Sequence, residues 1–268
     1  MLPVAGGTFT LQSGGPNMSE TTFHMSKNLI TRAQFSAVMG SDPSDTTVST
    51  SMTDPVQNLN WYQAIAFCNK LSLDDGLTPV YSVSTVSNWS NLAFSSIPTV
   101  DDTNWDAATI TTSANGYRLP TEMQYMWAAM GGMSDSLTTD LNGGVNILGY
   151  AKGYAGSTEA STGITNIDQY AWTSQNTNRT TTNPVGSLKA NELGIYDLSG
   201  NVFEWSWDWY GTYPTSATTD YTGAASGTYR VLRGGDWIDD ASLCTVAYRL
   251  SYFPSDQGNG IGFRVVRP

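Results

Sequence analysis

Histidine is almost missing from this chain, cysteine is rare and positive charge is scarce: 268 residues hold one His, two Cys, and 12 Lys plus Arg against 23 Asp plus Glu. Each shortage closes a class of function. With His24 alone, zinc centres and His-based nucleophile triads lack their ligands and bases. Cys68 and Cys244 are too few for a disulfide scaffold. They can form one bridge or stay as two buried thiols, and the second reading is preferred because a free Cys packs as a small hydrophobe. A formal net charge of −11 without any basic stripe excludes nucleic acid as a partner. No apolar run reaches the length of a membrane span. The opening MLPVAGGTF has neither the basic nor the apolar region of a secretory leader, so a leader is expected to be absent or already removed.

What is present is aromatic and loop-forming. Aromatics make up 12% of the chain, nearly as much as the 13% that is charged, and Gly, Ser, Thr and Asn are abundant. This composition predicts an irregular α+β protein rather than a helical one. The length suffices for a sizeable core, and no repeat or composition break divides it, so one domain over 1–268 is expected.

Local signals place the elements. Residues 4–11 read as a strand. Residues 31–39 follow a Thr N-cap and stop at Gly40, which predicts a short helix. The clearest helix is 60–73, with Asn60 as cap and Trp61, Ile65, Cys68 and Leu71 at helical spacing. Thr121 and Gln124 form a capping-box pattern, with Glu122 favourable at the N-terminus of a helix that ends at Gly131. The 81–113 stretch predicts short surface strands, whereas 134–183 is polar and aperiodic. Trp205, Trp207 and Trp209 alternate at strand spacing, as core packing or as a stacking platform, the former preferred.

The last forty residues organise the rest. An apolar strand over 229–232 is broken by Arg233-Gly234-Gly235, and a closing strand runs over 261–266. Between them lie some twenty-five residues without a period, which reads as a functional loop rather than a filler.

The ordered set VAGGTF from Val4, PV at Pro55, WYQAIAFCNKL from Trp61, GYRLPTE from Gly116, GIYDLSGNVFEW from Gly194, RVLRGGDW from Arg230 and GFRVVR from Gly262 resembles the formylglycine-generating-enzyme/sulfatase-modifying-factor family. The resemblance runs almost end to end. It implies a C-type lectin fold of the formylglycine-generating-enzyme type, α+β and loop-rich, with the N- and C-terminal strands paired.

Function has to be read at the site. The family's catalytic members hold copper between two cysteine thiolates just after the RGG turn. Aligned on that turn, the first thiolate position falls on Asp239 and the second on Cys244. A carboxylate is a hard ligand and does not replace a thiolate on Cu(I), so the pair is incomplete. Iron-dependent relatives use a histidine cluster, which His24 alone does not supply. The segment instead resembles that of variable proteins diversified by retroelements, whose lectin-type fold displays rewritten side chains as a binding surface. Its framework is Trp237, Ala241, Cys244, Ala247, Arg249, Pro254 and the run from Ile261 to Arg264. The interspersed positions within 236–259 are Asp236, Ile238, Asp239, Asp240, Leu243, Thr245, Tyr248, Leu250, Ser251, Tyr252, Phe253, Ser255, Asp256, Gly258 and Asn259. Each is reachable from an Asn codon by changing only its adenines, and none is Lys, Glu, Gln, Met or Trp. The alternatives are a sulfatase-activating copper oxidase and an inert structural paralogue.

Tyr and Phe offer rigid contact area and Ser, Asp, Asn and Gly adaptable hydrogen bonds, as in antibody paratopes. A protein or cell-surface ligand is therefore expected, with Tyr248, Tyr252 and Phe253 as anchors and Asp236, Asp239, Asp240 and Asp256 favouring basic partners. No cofactor is required. The resemblance also carries a candidate structural calcium site onto Asp197, Gly200, Val202 and Glu204, a spacing that suits an oxygen cage. Asp197 and Glu204 capping their own turn is the equal alternative. A monomer is expected. The resemblance implies a cell-surface or extracellular place, lipid-anchored through a leader that this sequence does not contain.

Overall fold

The computed structural model describes residues 1–135, 141–158 and 164–268. Parts of the aperiodic 134–183 stretch, 136–140 and 159–163, lie outside the described residues. Three helices begin where local chemistry predicts. Arg32–Met39, Trp61–Asp74 and Glu122–Met130 each carry a full capping box, with Thr31, Asn60 and Thr121 as caps and Gln34, Gln63 and Gln124 answering. Gly40 and Gly131 end two of them in the left-handed conformation that a C-terminal cap favours.

The helix Trp61–Asp74 is buried over its first nine residues, and its Phe67 and Cys68 lie in a cluster with Phe35, Trp205, Leu232 and Phe263. A second cluster joins the helix Glu122–Met130 to Phe9, Met18 and Phe23 from the N-terminal strands. The 81–113 stretch contributes one short antiparallel pair, Tyr81–Ser82 with Thr109–Ile110, together with a helical turn at Thr103–Asp106.

The two chain ends meet through an intermediary. Leu2–Val4 and Val266–Arg267 both pair antiparallel with Phe23–Met25, which lies between them, so they share a sheet without touching edge to edge. The strand expected over 4–11 is two strands: Gly7–Thr10 leaves for another sheet and pairs there with Asn17–Glu20. The strand expected over 261–266 divides likewise, because Ile261–Gly262 runs parallel to Phe203–Trp209. A change of sheet within a few residues leaves each piece too short for an alternating pattern to be read.

The sheet that carries the candidate surface has the order Arg249–Tyr252, Arg230–Arg233, Phe203–Trp209, Ile261–Gly262. Trp205, Trp207 and Trp209 alternate along its third member as expected, and they pack rather than form an open platform. Trp205 is fully buried, Trp207 stacks on Tyr81 at 5.1 Å, and the Arg230 guanidinium lies 3.4 Å from the Trp209 ring centre. Among the described residues no helix is long and apolar enough to cross a membrane.

Candidate ligand-binding surface

The segment after Arg230–Arg233 leaves its strand through Gly234 and Gly235, with φ of 102° and 77°. Only glycine fits the second position: a β-carbon on Gly235 would lie 2.5 Å from the Cys244 sulfur, in addition to the strain of positive φ. The chain then makes a turn at Asp236–Asp239, a 3-10 turn at Ala241–Leu243 and a return strand, Arg249–Tyr252, antiparallel to Arg230–Arg233. Leu232 faces Leu250 and Val231 faces Ser251 in that pairing.

Framework and interspersed positions separate by burial. Trp237, Ala241, Cys244, Pro254 and Ile261–Arg264 are buried, whereas all fifteen interspersed positions are half-buried or exposed. Ile238, Tyr252 and Phe253 are the most open of the large apolar ones, at 38%, 41% and 37%. Two framework residues depart from this division: Ala247 is exposed and Arg249 half-buried. Nine of the fifteen line one cleft of about 280 Å³, whose floor includes Phe203, Gly260 and Ile261. Tyr248 leans over Phe203 at a centroid distance of 6.4 Å, and Phe253 packs on Tyr229 at 4.6 Å.

Residues outside the fifteen hold the path of the segment, and they do so through its main chain. The buried Arg233 guanidinium donates to the carbonyls of Val246 (2.8 Å), Ala247 (3.0 Å) and Tyr248. Ser199 Oγ donates to the Cys244 carbonyl at 2.8 Å, and Trp237 Nε1 to that of Asn259 at 3.2 Å. The backbone N–H groups of Trp61 and Asn58 reach the carbonyls of Pro254 (3.0 Å) and Gly258 (2.9 Å). Arg249 is fixed by its side chain: Nε and Nη2 donate to the two oxygens of Glu122 at 2.8 and 2.6 Å, and Tyr210 and Tyr213 flank it at 4.2 Å. Glu122 opens the helix Glu122–Met130, so the GYRLPTE motif secures the segment as well as starting a helix. Neither Arg233 nor Glu122 was among the expected site residues. An arginine immediately before a Gly-Gly break is the sequence signal for the first.

Four of the fifteen also cap local turns. Asp236 Oδ1 accepts from the N–H of Ile238 and Asp239, Asp240 Oδ1 from Ser242, Thr245 Oγ1 from Tyr248, and Asp256 Oδ2 from Phe253. Their side chains are partly spent on the backbone and present less to a ligand than the aromatics do. Burial, reinforced by Asp239, pushes Asp236 up to about 7, so the surface carries less negative charge at neutral pH than its four aspartates suggest.

The copper pair does not fit these residues. Cys244 is buried against Gly235, and burial followed by Asp239 and Asp236 drives its thiol far above the ordinary range. The other cysteine, Cys68, belongs to a different core cluster, and both are free thiols. The calcium set does not fit either. Both oxygens of Glu204 are taken by Arg264, Nε to Oε2 at 2.6 Å and Nη2 to Oε1 at 2.8 Å. The Asp197 carboxylate accepts the Gly186 N–H at 2.8 Å, and its carbonyl accepts from Arg264 at 3.1 Å. A guanidinium thus supplies the positive charge that the ion was expected to bring. The 197–204 turn acts as a buttress: Gly200 N–H donates to the Gly234 carbonyl at 2.8 Å, and Trp237 N–H to the Asn201 carbonyl at 3.0 Å.

Comparison with known proteins agrees with this architecture. Residues 1–268 match the family model described as a sulfatase-modifying factor enzyme 1-like domain. The chaperone protein LppX of Paenibacillus barcinonensis is 32% identical over 268 residues, which is 98% of this chain and 88% of that protein. The formylglycine-generating enzyme of Streptomyces coelicolor is 33% identical over 172 residues, covering 60% of this chain and 50% of the enzyme. Among solved structures, Treponema denticola variable protein 1 is similar with a TM-score of 0.86 and 34% identity, covering 100% of this chain and 95% of its own. CarF, at 24% identity and a TM-score of 0.71, shares the fold. The chain is therefore a member of the formylglycine-generating-enzyme/sulfatase-modifying-factor family, with the C-type-lectin-like fold of that family and a variable protein among its full-length structural relatives.

Proposed function

We propose that this protein is a non-catalytic binding protein, receptor- or adhesin-like, whose 236–259 segment is a retroelement-diversified surface for protein or cell-surface ligands. The observation that carries the reading is the separation of roles within the segment. None of the fifteen positions reachable by adenine-directed change is buried, while the fixed framework and Arg233 hold the main chain. A surface built to vary needs that separation, because each new side chain must leave the fold intact. Full-length similarity to a variable protein supports the reading, and similarity to a protein named as a chaperone supports a protein as the ligand. The incomplete thiolate pair supports a binding rather than an oxidising role. Tyr252, Phe253 and Ile238 are the contact anchors, with Tyr229 extending the aromatic patch beyond the varied positions. The protein acts as a monomer at the cell surface, lipid-anchored or released.

The test is deep sequencing of the 3′ end of the gene across clones of one source population. Substitutions are expected at the fifteen positions, with Trp237, Ala247 and Arg249 constant. An invariant segment would overturn the proposal.

A further inference from the structure

A cavity of about 350 Å³, lined by no residue of 236–259, lies between the Asn17–Glu20 strand and the start of the helix Glu122–Met130. Glu20, Arg118, Gln124, Val80, Ile110 and Ala114 are among its walls. Glu20 is only 4% exposed, neither of its carboxylate oxygens makes a hydrogen bond of normal geometry, and the Gln124 side chain nearby offsets only a small part of the cost of burying its charge. Arg118 lines the same space without forming an ion pair with Glu20. Its Nη1 donates to the Leu119 carbonyl at 3.1 Å and to Gln124 Oε1 at 2.7 Å, and no hydrogen bond from its Nε or Nη2 occurs among the described residues. Asp220, at the rim, is engaged with the N–H and hydroxyl of Thr21 at 2.8 and 3.1 Å.

A buried carboxylate without a partner is costly, and the cost is relieved by a proton or by a cation. Burial, with Asp220 and Asp208 adding and Arg118 and Gln124 opposing, pushes Glu20 up to about 8. Among the described residues no three His, Cys, Asp or Glu side chains come together to hold a metal ion. A simple anion would face Glu20, and a simple cation would leave the open edge of Arg118 unanswered. The volume is that of a small-molecule site, and Glu20 and Arg118, of opposite sign, with Asp220 already engaged at the rim, are the kind of polar groups that orient a ligand.

We propose that this cavity binds a small zwitterion of the α-amino-acid type, with its ammonium on Glu20, its carboxylate on Arg118, and an aliphatic side chain against Val80, Ile110 and Ala114. The two fixed charges read the two ends of the backbone, and the apolar wall reads the side chain. This site is independent of the variable segment and stands or falls without it.

Calorimetric titration of the full chain with L-leucine tests the proposal, with leucinamide and 4-methylpentanoate as arms that lack the carboxylate and the ammonium. L-leucine is expected to bind, and each truncated analogue to bind at least about tenfold more weakly, since each loses one charge-assisted contact. Glu20→Gln keeps the shape of the protonated side chain but cannot ionise to meet an ammonium, so it should fold and lose leucine binding. Thr112→Trp, at the exposed rim, should block entry. No heat with L-leucine, equal binding of leucinamide, or full binding by Glu20→Gln would each overturn the proposal.

Discussion

Glu122 receives three arginine nitrogens: Arg249 by two bonds of 2.8 and 2.6 Å, and Arg233 Nε at 3.6 Å. Arg249→Ala should cost about 3 kcal/mol, because it leaves a nearly buried carboxylate with only the Tyr213 hydroxyl at 3.2 Å and the looser Arg233 contact. Arg249→Lys should recover part of that loss, and urea denaturation measures both. A loss within experimental error would mean that Arg233 alone neutralises Glu122. A different behaviour belongs to Glu20 and Asp208, whose carboxyls burial raises from 4.5 and 3.8 to about 8 each. Folded, they keep protons that the unfolded chain gives up. Their contribution to stability is full below the ordinary carboxyl range and is lost as pH rises through about 8. Thermal unfolding should therefore occur at higher temperature at pH 5 than at pH 8, and Glu20→Gln should flatten the slope. A melting temperature that rises over the same interval would contradict the assignment. None of these pairings is visible in the sequence, because Glu122 and Arg249 are brought together only by the fold.

At the scale of elements, helix boundaries were legible and strands much less so. Thr31, Asn60 and Thr121 announce their helices because a cap acts over three residues of its own chain. The strand Arg249–Tyr252 has no such signal. Its sequence alternates poorly, and its state is fixed by pairing with Arg230–Arg233 some twenty residues earlier. The strand Asn17–Glu20 likewise owes its form to Gly7–Thr10. The division between buried frame and unburied positions was legible from framework spacing, since none of the fifteen is buried and four are exposed, but the carbonyl clamp of Arg233 was not, since the acceptors belong to the backbone. That division sets an expectation for mutation. Tyr252→Ser and Phe253→Ser should each change stability by less than about 1 kcal/mol, as exposed side chains do. Trp237→Ala should cost about 3–5 kcal/mol through the cavity it leaves and the lost indole bond to the Asn259 carbonyl. Denaturant midpoints decide it, and a loss at Tyr252 equal to that at Trp237 would remove the distinction between display and frame.

For the molecule as a whole, the motifs indicated the family and the α+β class, while the path between sheets had to be seen. The two ends join through Phe23–Met25, a strand whose Phe-His-Met sequence predicts nothing by itself. The buttress under the RGG turn is closed by the pair Arg264 and Glu204, both fully buried. Calorimetry with Ca²⁺ should accordingly show no binding at this turn, and the melting temperature should not respond to chelator. Saturable Ca²⁺ binding that Asp197→Ala abolishes would show that the ion displaces Arg264. The Arg233 clamp reaches further than local stability. Because it grips three carbonyl oxygens, a group every amino acid supplies, it is indifferent to what hangs from the chain at those residues. Of those residues Tyr248 is one of the fifteen unburied positions, so its side chain can change without loosening the clamp. A combinatorial library at the open positions would inherit one backbone, and selection on it would sort members by what they recognise instead of by whether they fold.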